Sequence, residues 1–340
     1  MSDAATASDD ATASAERSLP PAGPILGLFA LYLLTVLGGV ALAGPFEATG
    51  VQTFENPDSV ANVGFIFAEI VVVTALFILI TRYGYGLRVL RVLVLAVFGY
   101  AANLAVTGAG LPSAGLVGPA LGVVVFLALL VHPEWYVIDA TAVVAGAAII
   151  AQFGNGLGPL PTLLFLAGMA AYDAYAVYVS EHMQQLGGGI GELKLPMMYV
   201  VPPSISFSME DMGNPFEAPE EDEHDGEEEH DEDGDPPEEA GLDEDTPILL
   251  GLGDAIVPGL LAVSAGQFLD AEPLIAGTIV NAPALGALLG SVVGLCGLLV
   301  LLYVVERAHA GLPVLNACVI LGYLAGAVAG GVPVTAALGL

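Results

Sequence analysis

Nine runs of about 20 mostly apolar residues, each long enough to cross a bilayer, occupy the chain from Pro24 to its end. They fall at 24–44, 60–82, 88–108, 111–131, 135–153, 157–180, 247–266, 278–303 and 313–333. In hydrocarbon every backbone N–H and C=O needs a partner, and a single run of this length meets that need as a helix. The expected fold class is an all-α membrane protein, a polytopic bundle of nine transmembrane helices. A hydrophobic share of 56% and a mean hydropathy of +0.78 exclude an ordinary soluble domain.

The six basic residues orient these spans. Arg17 precedes span one, Arg82, Arg88 and Arg91 flank the 2–3 connection, Lys194 follows span six and Arg307 follows span eight. With nine spans all six lie on one face, which the positive-inside rule makes cytoplasmic. Omitting a span would divide them between both faces. The protein is therefore expected in the cytoplasmic membrane as a multi-pass protein, N-terminus inside and C-terminus outside.

The net charge of −31 belongs elsewhere: 18 of the 37 acidic residues lie between Glu217 and Asp245. A self-repelling tract without core-forming residues is expected to be disordered, as is the Ala-, Ser- and Asp-rich N-terminus. The organisation expected is a disordered tail at 1–23, helices one to six over 24–180, a cytoplasmic loop at 181–246 carrying the disordered tract 217–245, and helices seven to nine over 247–340. Such acidity matches the style of salt-loving organisms, whose protein surfaces stay solvated at high ionic strength. His224 and His230 raise a metal-binding loop, but the ligand spacing of an EF-hand is missing, so no metal is expected. Cys296 and Cys318 fall inside spans eight and nine and read as packing residues. No basic region precedes a short apolar core and cleavage motif, so span one is expected to stay as an anchor.

Two aspartates interrupt apolar helices: Asp173 in AGMAAYDAYAVY and Asp254 in PILLGLGDAIVPGLL. A carboxyl at mid-membrane costs roughly 2.5–3.5 kcal/mol on insertion scales, so it faces the protein interior and performs a task. Asp173 lies seven residues before the end of span six and Asp254 seven residues after the start of span seven. Both then sit about 10 Å below the cytoplasmic ends of adjacent antiparallel helices. Two carboxyls at close range share a proton, one as acid and one as base, which is the apparatus of aspartic proteolysis. Gly251 and Gly253 precede the second aspartate and permit close approach of another backbone.

Tyr172-Asp173, Gly251-Leu252-Gly253-Asp254 and a Pro-containing start to span nine resemble the presenilin and signal peptide peptidase family of intramembrane aspartic proteases. The resemblance implies a presenilin-like bundle with Asp173 and Asp254 as the catalytic pair. It also implies that Tyr172, Gly251, Leu252 and Gly253 shape the site. The family's third motif is Pro-Ala-Leu. A literal Pro283-Ala284-Leu285 begins span eight, which starts at the outer face and so on the wrong side for the aspartates. Pro313-Val314-Leu315 begins span nine at the cytoplasmic face and is the assignment made, with Val where the family has Ala. That added bulk bears on substrate preference more than on catalysis.

A substrate helix must be unwound before its peptide bonds are open to water, and a strand edge would supply replacement partners. The segment from Leu193 to Val201, apolar and partly β-prone, is a candidate for that edge; an inert connector is the alternative. Glu69, mid-span two, suggests pairing with another polar group in the bundle, and Asp139 lies near a helix end where a carboxylate is cheap. The expected function is intramembrane aspartic endopeptidase, acting through water without a cofactor. Transmembrane protein substrates and the lipid bilayer are its expected partners; nucleic acid is not, and a homo-oligomer is compatible with the sequence. The alternatives are a prepilin-peptidase-like protease, which shares Gly-x-Gly-Asp, a proton-coupled transporter using the same carboxylates, and a silent scaffold recruiting partners through the acidic loop.

Overall fold

The apolar runs become helices almost end to end: α1 (Ala22–Ala48), α2 (Ala61–Arg82), α3 (Gly86–Gly108), α4 (Ala114–Val131), α5 (Trp135–Gly156), α6 (Pro159–Tyr178), α7 (Leu252–Phe268), α8 (Ala282–Val304) and α9 (Gly311–Ala329), with a final turn α10 (Val334–Ala337). The structure is a computed structural model and describes residues 22–50, 53–82, 86–178, 195–209, 247–304 and 310–340. Most of the N-terminal tail, Lys194, Arg307, His224, His230 and the acidic tract 217–245 lie outside the described residues. Among the described residues eight helices, α1–α6, α8 and α9, are long and apolar enough to span a membrane, and α7 is a shorter apolar helix. The chain is a polytopic helical membrane protein.

One boundary departs from expectation. Residues 248–251 do not begin a helix; they form strand β2 (Ile248–Gly251), antiparallel to β1 (Met198–Val201). A short Ile-Leu-Leu run fits a strand as well as a helix, and Gly251 and Gly253 weaken the helical choice. Met198 stands opposite Gly251 and Val201 opposite Ile248. The 17 residues of α7 reach only about 26 Å, and the strand directly precedes them. Extended backbone is tolerated here because each strand pairs with the other and protein covers both faces. Tyr199, Val201, Ile248 and Leu250 pack into the larger core, while Met198, Val200 and Leu249 join Leu90, Leu95, Leu129 and Ile138 in a second cluster.

The C-terminal helices are packed backbone to backbone. A Cβ added at Gly286 would strike the Gly322 carbonyl, one at Gly322 the Gly286 carbonyl, and one at Gly290 the Cys318 carbonyl. Small residues at such a seam let membrane helices gain dispersion contacts that lipid cannot supply. Buried hydrogen bonds tie neighbouring segments: Asn316 Nδ2 donates to the Leu166 carbonyl of α6 at 2.8 Å, and Ser264 Oγ to the Leu157 carbonyl at 2.8 Å. α9 ends at Ala329, before the expected 333, because Gly331 takes φ 74° and turns the chain into α10. By contrast α2 is peripheral. It touches α6 through Phe67 and Phe165, ring centroids 5.7 Å apart, and its Glu69 is exposed instead of paired inside the bundle.

Candidate active site

Asp173 is the fifteenth residue of α6, near its C-terminal end. Asp254 is the third residue of α7, in its first turn. The expected two-turn depth of Asp254 within its helix is thus corrected, since the residues before it are strand. Both carboxyls nevertheless meet the same turn of a third element. The Leu312 N–H at the start of α9 donates to Asp173 Oδ2 at 3.0 Å. A Cβ added at the adjacent Gly311 would stand 3.6 Å from Asp254 Oδ2. The first turn of a helix carries N–H groups without intrahelical acceptors and the positive end of the helix dipole, which suits it to receive carboxylates.

The other expected residues divide. Gly251 is exposed at the N-cap of α7, and a Cβ there would stand 3.4 Å from Asp254 Oδ2. Gly253 is exposed with open space where a Cβ would be. Leu252 is buried; its N–H donates to the Met197 carbonyl at 2.9 Å, extending the β1–β2 ladder up to the helix. Four residues after Asp254, Pro258 has no N–H to offer the Asp254 carbonyl. Tyr172 is 53% exposed, and Tyr175 and Tyr178 are exposed as well.

Pro313, Val314 and Leu315 follow directly on the turn that meets the carboxyls. Val314 and Leu315 pack against α8, in contact range of Gly297 and Gly294, so they brace the turn from behind. Pro283 lies at the other end of α9, beside Gly330, with Ala282 against Gly326. From Gly311 to Gly330 is about 28 Å of helix. Among the described residues no three His, Cys, Asp or Glu side chains come together as a metal site.

Sequence reasoning passed over a buried carboxyl nearby. Asp139, expected at a wet helix end, is 4% exposed, and its Oδ1 accepts the Val200 N–H of β1 at 2.8 Å. Glu134, the N-cap of α5, accepts Ser208 Oγ at 2.9 Å and the Met209 N–H at 3.1 Å. Tyr199 and Thr35 of α1 share a hydrogen bond of 2.6 Å. The available signal was the β-prone run after span six, whose backbone donors required partners somewhere.

Comparison with solved structures places this helical bundle among membrane-embedded aspartate proteases. A presenilin family intramembrane aspartate protease in a C222 crystal form is 26% identical, with a TM-score of 0.62 over 90% of this chain and 99% of that one. One in a P2 crystal form is 28% identical, with a TM-score of 0.57 over 90% of this chain and 98% of the other. Comparison with curated proteins returns no match. The chain belongs to the signal-peptide peptidase, presenilin aspartyl protease family, whose model matches residues 29–332, and it is an intramembrane aspartic protease. That assignment displaces the prepilin-peptidase, transporter and scaffold readings.

Proposed function

We propose that Asp173 and Asp254 are the catalytic pair and that they hydrolyse peptide bonds in transmembrane segments near the cytoplasmic leaflet. The observation that carries this reading is the shared seat of the two carboxyls on Gly311 and Leu312. One carboxylate takes a proton from a bound water as its oxygen attacks the peptide carbonyl carbon, while the other, protonated, donates to the carbonyl oxygen. The tetrahedral diol then collapses, a proton passes to the departing nitrogen, and the C–N bond breaks. Water is the co-substrate and no cofactor takes part. The roles belong to the pair, since two interacting acids titrate together.

Gly251 and Gly253 leave the approach to Asp254 free of side chains, and Pro313-Val314-Leu315 hold the α9 turn in place. Tyr172, the residue before Asp173 on α6, is exposed where substrate could meet it. Substrate would add as a strand beside β2. The ladder contact of Leu252 with Met197 sets the parity of the pairing, so the N–H and C=O groups of Leu249 and Gly251 point away from β1. By the same parity the N–H and C=O groups of Met198 and Val200 point away from β2, and the Val200 N–H is already taken by Asp139, which favours the edge of β2 over that of the Leu193–Val201 segment. The clustering of basic residues supports the cytoplasmic membrane with the N-terminus inside.

The test is cleavage of a fluorogenic transmembrane peptide by purified protein in lipid at high salt. Either Asp173→Asn or Asp254→Asn should abolish it, as should a transition-state-mimicking aspartic protease inhibitor. Equal cleavage by wild type and both variants would remove the pair from the reaction.

A further inference from the structure

The sheet beside the aspartates has an unusual difficulty. β1 reads Met-Tyr-Val-Val and β2 Ile-Leu-Leu-Gly, and apolar clusters cover both faces. A strand with one apolar and one polar face has its register set by burial, because a slip of one residue turns every side chain to the wrong side. Here both sides are apolar, so burial distinguishes the registers poorly. Other contacts must supply the information.

Polar bonds do so: two act on β1 itself and two on the chain that follows it. The Val200 N–H points to the edge of β1 away from β2, where a third strand would pair, and the Asp139 carboxylate takes it at 2.8 Å. Asp139 is anchored in the first turns of α5 and is buried. One residue earlier, the Tyr199 hydroxyl meets Thr35 Oγ1 of α1 at 2.6 Å. Further along, Glu134 holds Ser208 and Met209. The opposite edge of β1 then dictates β2, with Met198 opposite Gly251 and Met197 bonded to Leu252, two residues before Asp254.

We infer that Asp139 is a positioning residue for proteolysis: by fixing β1 it sets the register of β2, and with it which substrate bond is presented to the aspartates. This rests on the catalytic pair and the β2 edge proposed above. A slip of one residue moves a strand by about 3.3 Å, whereas a misplacement of about 1 Å at a reacting centre can cost a hundredfold in rate. Loss of the Asp139 contact therefore acts on turnover and on the choice of bond more than on substrate affinity.

The experiment measures kcat, KM and cleavage sites by mass spectrometry for the full chain in lipid vesicles, using one transmembrane peptide substrate. Asp139→Asn keeps an acceptor oxygen for Val200 and should keep the wild-type sites and turnover. Asp139→Leu removes it and should lower kcat about tenfold or more, leave KM within about threefold, and spread cleavage to bonds adjacent to the wild-type site. Tyr199→Phe removes the second pin by deleting one hydroxyl, and should broaden the cleavage pattern to a smaller degree. It also serves as the decisive variant if Asp139→Leu does not fold. Unchanged sites in a folded Asp139→Leu protein, or in Tyr199→Phe where the former does not fold, overturn the inference. So does an Asp139→Asn protein as impaired as the leucine variant. Asp254→Asn run alongside separates the two levels: if it cleaves normally, the catalytic reading itself has failed.

Discussion

The two aspartate-bearing helices deliver the same chemical group by different means. α6 brings Asp173 after fourteen residues of helix, and bonds to α9 hold it at mid-helix, Asn316 to Leu166, and at its end, Leu312 to Asp173 itself. α7 brings Asp254 in its first turn, immediately behind a strand whose ladder runs on into Leu252. One carboxyl is placed by side chains crossing between helices, the other by paired backbone. A small lateral shift of α6 disturbs a few bonds, whereas a shift of Asp254 requires the ladder to break or slip. The pair therefore has one adjustable member and one fixed member.

The largest effect that bears on this contrast is chemical. Replacing either aspartate by asparagine should lower kcat by at least about 10²–10⁴, the contribution typical of one general acid or base. Alanine should separate the two in melting experiments. Asp173→Ala loses the Leu312 bond and is expected to cost about 1–2 kcal/mol, as for a hydrogen bond to a carboxylate that is only partly buried. Asp254→Ala, with no such bond among the described residues, should melt closer to wild type; equal losses would erase the distinction. Next in size, Asn316→Leu should reduce turnover several-fold and stability by about 1 kcal/mol by loosening α6. Its cleavage sites should remain those of the wild type, because the strands are untouched.

A smaller effect is steric. Gly253→Ala projects a methyl into open space beside the aspartates, and should weaken substrate handling by several-fold in kcat/KM without lowering Tm. Pro283→Ala, at the far end of α9, should be the mildest of the series, within about twofold of wild type in kcat/KM and well short of the tenfold that about 1.4 kcal/mol of barrier brings. A Pro283 variant as damaged as a Pro313 variant would redraw the site.

The helices were legible from apolar run length, because lipid leaves the backbone so few options. α5 starts at the expected Trp135, and α4 ends at the expected Val131. The start of span seven was not legible. Ile-Leu-Leu is compatible with helix or strand, and the choice is made by β1, about fifty residues earlier in sequence. Within the candidate site, the aspartates and their glycines stand out in sequence as polar and small residues amid apolar ones. Gly311 and Leu312 do not, because what they contribute is backbone exposed at a helix start. Asp139 was visible but misread. Its position near the end of a run suggested hydration, and only the packing of β1 over α5 shows that it is dry.

The pairing of β1 with β2 also has a consequence for how freely the acidic loop can vary. Residues 210–246 join two points that are already held, Ser208 and Met209 by Glu134 on one side and β2 by its pairing with β1 on the other. For a chain between two held points the closure cost rises by only about 0.6 kcal/mol for each doubling of its length. The protease can therefore lengthen, shorten or exchange this loop, or carry a foreign domain in it, while the aspartates stay where the ladder puts them. The composition of that connection and the chemistry of the bilayer site can be tuned independently along one chain.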